Sequence, residues 1–242
     1  MMTTTDGHHV SRGASTFEAA TGSRTDIQLP VSVAPSIWIE SLDGMATEAT
    51  LHRWIAQPRF QTRLSERLRR RHGLAPVDDL PERDTIDQAL CRLDADTLPI
   101  CVRAAGVIVH ANALVREIQA PRVAALKQRL GADLYALALA QREHGSADDG
   151  VRDDLEAFEA RLAHDGKRCL RAWGEAQPAA LRAWLRLSWF GQLADDSADT
   201  DGSAGVTDNA VKIARLAMAH VQSCAKAQIA DGAVDPHGSH ST

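Results

Sequence analysis

The chain has 242 residues, enough for one well-filled domain with tails. Its 27 basic and 32 acidic side chains leave a formal charge of −5, which argues against a protein dedicated to neutralising nucleic-acid phosphates. With 44% hydrophobic and 24% charged residues, it is neither a collagenous nor a membrane-embedded composition, and an ordinary core can form.

Residues 1–29 are rich in Thr, Ser, Gly and charge. Val10, Phe17, Ile27 and Leu29 are too few apolar groups to offset the entropy of ordering them, so a disordered N-terminal arm is expected. This arm has no apolar secretory-signal core. The most apolar run, Ile100 to Val109, is short and interrupted by Arg103, which predicts no membrane-spanning helix. Cys91, Cys101, Cys169 and Cys224 lack paired spacing, as expected in a reducing cytoplasm. Residues 231–242 resemble the arm in composition, leaving 30–230 as the folded domain.

The elements then follow in order. Residues 31–41 (VSVAPSIWIES) alternate in a way compatible with one short strand. Leu51, Trp54 and Ile55, then Phe60, Leu64 and Leu68, form a helical stripe kinked or restarted at Pro58. Gly73 is placed to stop that helix in the left-handed conformation, with Leu74 packing back. After the Pro- and Asp-rich break at 75–83, a helix capped by Asp96 or Thr97 is predicted through ICVRAAGVIVHANALVREI, the most apolar and hence central element. Val123, Leu126, Leu130, Leu134 and Leu137 continue one stripe through Gly131, as one bent helix or two abutting ones. Val151, Leu155, Phe158 and Leu162 repeat the spacing, as do Leu181, Trp184, Leu185 and Trp189, then Ile213, Leu216, Ala217 and Val221. A lone strand makes no sheet. The fold class is therefore all-α, an irregular multi-helix globular domain with disordered N- and C-terminal tails.

Chemical motifs are sparse. The chain lacks the nucleophile elbow, the paired-histidine zinc motif, the phosphate-binding loop and the dinucleotide fingerprint, and Gly166-Lys167 reads as a loop. His220 and Cys224 share a helix face, a spacing that suits two metal ligands or simply a half-buried pair. Ser197, Asp199, Asp201 and Gly202 match the start of a calcium loop, but Asp208 stands where a longer carboxylate is needed, so an acidic loop is the plainer description. No catalytic, cofactor or metal residue is assigned.

The strongest surface signal is basic. Residues 53–71 hold seven arginines (Arg53, Arg59, Arg63, Arg67, Arg69, Arg70, Arg71) against Glu66. Arg59, Arg63, Arg67 and Arg70 recur at steps of 4, 4 and 3, along one side of a helix. Either an acidic partner docks there, or acidic segments such as 148–159 neutralise the row internally.

Taken together, Val33-Ala34-Pro35-Ser36-Ile37-Trp38, then LHRWIAQPRFQTRLSERLRRRHGL, then LPICVRAAGVIVHANALVREIQAPRVAALKQRLGADLYALAL resemble in order and pattern the SctK (OrgA/PscK) family of type III secretion proteins, especially its Hrp-type branch from plant-associated bacteria. The resemblance spans roughly residues 30–190, with an extra isoleucine in the Pro-Ser-Ile-Trp segment and no counterpart for the acidic 195–205 loop. It implies a helical, non-enzymatic adaptor at the cytoplasmic face of the secretion apparatus. Its partners would be an SctQ-type pod protein and an SctD-type inner-membrane ring protein, with SctL and the SctN ATPase reached indirectly and no nucleic acid involved. Arg59, Arg63, Arg67 and Arg70 are the expected protein-binding residues. The rival readings are a helical regulatory or nucleic-acid-binding protein using the Arg-rich helix 59–71, and an enzyme whose groups are dispersed in sequence.

Overall fold

The computed structural model describes residues 29–146, 154–188, 190, 191, 193 and 208–232. The expected N-terminal arm, the chain end after 232, Val151, Trp189 and the acidic loop up to Asp208 lie outside the described residues. Among the described residues the fold is all-α, with eleven α-helices and no strand. They are α1 (Pro35–Ser41), α2 (Glu48–Ile55), α3 (Pro58–His72), α4 (Thr85–Cys91), α5 (Thr97–Val109), α6 (Ala111–Arg116), α7 (Ala120–Leu130), α8 (Ala132–Ala140), α9 (Leu155–Glu175), α10 (Ala179–Leu185) and α11 (Asp208–Gly232).

The expected strand is corrected. Val31 to Ala34 are extended, but the Ser32 and Ala34 amides donate to the carbonyls of Cys91 (3.1 Å) and Leu187 (2.9 Å), and Val33 makes one isolated antiparallel bridge with Ser188. Pro35 then opens α1, because its fixed φ suits the first helical turn. The alternation therefore belongs to a connector threaded between the ends of α4 and α10.

Pro58 does restart the helix, separating α2 from α3. Gly73 has φ 62° and ψ 37°, the Leu74 amide donates to the Arg69 carbonyl at 2.9 Å, and Leu74 is buried. This is the C-terminal stop expected from the Gly-Leu pair. The helix starting at 97 ends sooner than expected, at His110 (φ −95°, ψ 16°), and α6 follows on a new axis. Its cap is also corrected: the Asp94 carboxylate, rather than Asp96 or Thr97, accepts from the Thr97 amide (2.8 Å) and hydroxyl (2.6 Å) and the Asp96 amide (3.1 Å). At Gly131 (φ 93°) α7 and α8 abut as two helices.

The central element is α5, in which Cys101, Ala104, Ala105, Val107 and Ile108 are fully buried. It packs most extensively on α9, then on α11 and α8. The α5–α9 crossing depends on two glycines. A Cβ on Gly106 would lie 1.9 Å from the Leu162 carbonyl oxygen, and one on Gly166 would lie 2.0 Å from that of Val102. Residue numbers rise on α5 as they fall on α9, so the helices run antiparallel with their backbones almost in contact. Gly166-Lys167, expected as a loop, is thus the interior of a long helix.

One side of α5 joins a large core with Trp38, Leu51, Leu68, Leu90, Leu170, Trp173, Trp184 and Ala217, while Val107 enters a smaller core with Leu114, Leu126, Tyr135, Phe158 and Leu162. Each large apolar side chain fully removed from water contributes about 1.5–3 kcal/mol. Both buried tryptophans satisfy their indole N–H: Trp173 donates to Asp87 and Trp184 to the Ala75 carbonyl, each at 3.0 Å.

Candidate functional site

The arginine row lies on α3, which begins at Pro58 and turns Leu64 and Leu68 inward. An amphipathic helix with this stripe must present the residues opposite it to solvent. The structure divides the arginines into two groups. In the C-terminal half, Arg67 Nε donates to the Ser41 carbonyl and its Nη2 to Asp43 Oδ2, both at 2.6 Å, and Arg71 lies 3.1 Å from the other Asp43 oxygen. Asp43 reaches them from the α1–α2 turn with φ 52°, a left-handed conformation uncommon outside glycine. Ser41 Oγ and His72 Nε2 add a 3.0 Å hydrogen bond. Arg69 and Arg70 both bond Glu66, at 2.8 and 2.6 Å, and hold its carboxyl down at about 2. Four arginines thus share two carboxylates.

The other half differs. Arg53 on α2 and Arg63 on α3 are exposed and have no charged partner among the described residues. Arg59 donates to the neutral Gln57 side-chain oxygen at 2.9 Å and stacks over Phe60, 4.7 Å from the ring centre. Phe60 tilts against Trp54 with ring centres 6.1 Å apart, and both rings are half-buried. The Gln61 amide donates to the Ile55 carbonyl at 3.2 Å, bridging the α2–α3 corner. Of the expected docking residues, Arg59 and Arg63 face outward at this corner, Arg67 is tied to the α1–α2 turn, and Arg70 is paired with Glu66. The sequence reading missed Asp43, which neutralises the row from 24 residues away. Its only local signal was the Asp-Gly pair that marks a turn. The 148–159 segment had been the expected internal partner. Of its described residues, Glu159 pairs instead with Arg103 and Arg129.

A cavity of about 490 Å³ opens beneath α3, lined by Leu29, Val31, Trp38, Ile55, Gln61 and Leu64 among others. Helical geometry places Arg59 and Arg63 on the far side of α3 from Gln61, so the row and the cavity are separate features. His220 Nε2 lies 3.5 Å from Cys224 Sγ. Among the described residues no three His, Cys, Asp or Glu side chains converge to hold a metal ion, and no helix is long and apolar enough to cross a membrane. Burial pushes the Cys101 and Cys169 thiols up to about 12, which suppresses their reactivity.

Two structural nodes complete the picture. His110 Nε2 donates to Asp165 at 2.8 Å, joining the α5–α6 break to α9, while its ring packs edge-on against Phe158. Arg215 of α11 bonds both Asp84 and Asp87 at the start of α4, where Asp87 also takes the Trp173 N–H.

These features define an all-α domain with a bipartite basic face. The chain is similar to the nodulation protein NolU of Rhizobium fredii and that of Sinorhizobium fredii, 35% identical over 103 residues in each case. The match covers 41% of this chain and 48% of each relative, so the chain spans about half the length of the curated relatives it matches. No protein-family model and no solved structure matches it.

Proposed function

We propose that the protein is a non-enzymatic adaptor of a bacterial type III secretion apparatus, linking the SctQ-type pods of the sorting platform to the cytoplasmic domain of the SctD-type inner-membrane ring. The observation that carries this reading is the similarity to NolU over 103 residues. A nodulation protein comes from a plant-associated bacterium, the setting of the Hrp-type branch that the order of sequence motifs resembles. The all-α body with glycine-locked central helices supports it physically, because an adaptor must hold two contact faces at a fixed separation. The basic face on α2–α3 supplies one such surface, and opposite charge there steers encounter and fixes register.

The test is co-purification. Full-length tagged protein expressed with its SctQ-type and SctD-type neighbours is expected to recover both, and deleting its gene is expected to stop effector secretion without lowering effector synthesis. Recovery of neither partner, or normal secretion without the gene, overturns the reading. Retention of single-stranded or duplex DNA that falls steeply with salt would instead favour a nucleic-acid role for the same helix.

A further inference from the structure

Resting on that reading, we infer that the α2–α3 corner binds an acidic amphipathic segment of a partner protein. Its carboxylates meet Arg53, Arg59 and Arg63, and one apolar side chain lies against the Trp54–Phe60 pair. The charge distribution selects this corner over the rest of the row. Arg67 and Arg71 are engaged by Asp43, and Arg69 and Arg70 by Glu66, so an incoming carboxylate there would compete with bonds of 2.6–3.1 Å already made. At the corner no carboxylate competes among the described residues.

The corner is also preorganised. Pro58 fixes the first turn of α3, Gln61 bridges to Ile55, and Arg59 is held flat over Phe60. A guanidinium already stacked on a ring loses less side-chain freedom when a carboxylate arrives. The two half-buried rings beside it provide apolar area of the kind that anchors protein interfaces.

The same features favour a polypeptide over a nucleic acid. Three guanidinium groups displace few counterions from a phosphate chain, and the protein's net charge of −5 opposes a long polyanion. Trp54 and Phe60 pack on each other at 48°, which leaves no open flat platform for bases to stack on.

The test uses full-length protein and fluorescence anisotropy with a short labelled peptide alternating Glu and Asp with Leu and Phe. Wild type is expected to bind it, and the triple variant R53Q/R59Q/R63Q to bind about tenfold more weakly, as the loss of three exposed pairs implies. Helical circular dichroism and melting of the variant are expected to match wild type, since these side chains make no buried contact. Failure of wild type to bind, or equal binding by the triple variant, overturns the assignment. So does equally tight binding of polyglutamate of the same charge, which removes the role of the rings, or tighter binding of oligothymidylate, which points to nucleic acid. The adaptor reading is judged separately by co-purification: peptide binding without recovery of any secretion protein supports this surface and overturns that role.

Discussion

Gly106 and Gly166 have no side chain, and this lets α5 and α9 cross with carbonyl groups where Cβ atoms would stand. Gly166→Ala places a methyl group 2.0 Å from the Val102 oxygen, so the helices must separate along their most buried seam. The expected loss is about 1–3 kcal/mol, seen as a fall of several degrees in the thermal midpoint. An unchanged midpoint would show that the crossing is looser than described. Half of this contact was legible in the chain. The small residues Ala104-Ala105-Gly106 stood out inside an apolar run, but Gly166, flanked by Asp165 and Lys167, read as a loop because its partner lies 60 positions away. A second residue-scale consequence concerns Asp165. The hydrogen bond from His110, helped by the charges of His110 and Arg168, holds its carboxyl below the ordinary 3.8 despite burial. Between the folded and unfolded values the unfolded chain binds more protons, so this stabilisation is full above about pH 4 and fades as pH falls through the folded value. Asp165→Asn is expected to be less stable than wild type near pH 7, with the gap closing in acid; urea titrations across that range would show it.

At the scale of elements, short helices are placed by capping and tertiary contacts more than by apolar periodicity. Each of α1 and α4 has seven residues, too few to display a 3.6-residue repeat, and both escaped the sequence reading. The signals existed: Pro35 suits a first turn, and Asp84 accepts from the Ile86 and Asp87 amides at 3.0 and 2.9 Å. Long stripes such as those of α3, α9 and α11 were readable because three or more turns repeat them. The cap of α5 was displaced by two residues, since Asp94 reaches Thr97 through a turn that no linear pattern distinguishes from a cap at Asp96. Asp94→Ala is expected to cost about 0.5–2 kcal/mol and to shift the urea midpoint without changing the slope. Asp84 has a second task, pairing with Arg215, whose hydrogen bond holds its carboxyl low. Asp84→Ala should therefore lower stability by more than Arg215→Met, because the first removes both the α4 cap and the anchor of α11.

At the scale of the whole molecule, charge separates into neutralised and open regions. The +6 read from residues 53–71 counted every arginine equally, whereas folding brings Asp43 onto one half and leaves the other outward. Composition supplies the total but cannot supply this partition, which depends on the α1–α2 turn. Binding through the open half is expected to weaken with added salt, as exposed charges are screened within about 10 Å at 0.1 M. Apparent affinity for the SctQ- or SctD-type partner that uses this face should fall between 0.05 and 0.3 M salt, roughly severalfold for a few exposed pairs. A salt-independent affinity would place the contact on an apolar surface instead.

Because α5 is wrapped by α8, α9 and α11, its amide hydrogens have no local opening through which to meet solvent. Deuterium should enter Val102 to Ile108 only when the entire domain comes apart, at a rate that reports global stability. Amides near Arg53 and Arg63 should exchange through local fluctuation, so ligand-induced slowing confined to α2 and α3 would map the occupied surface while α5 remained the internal reference.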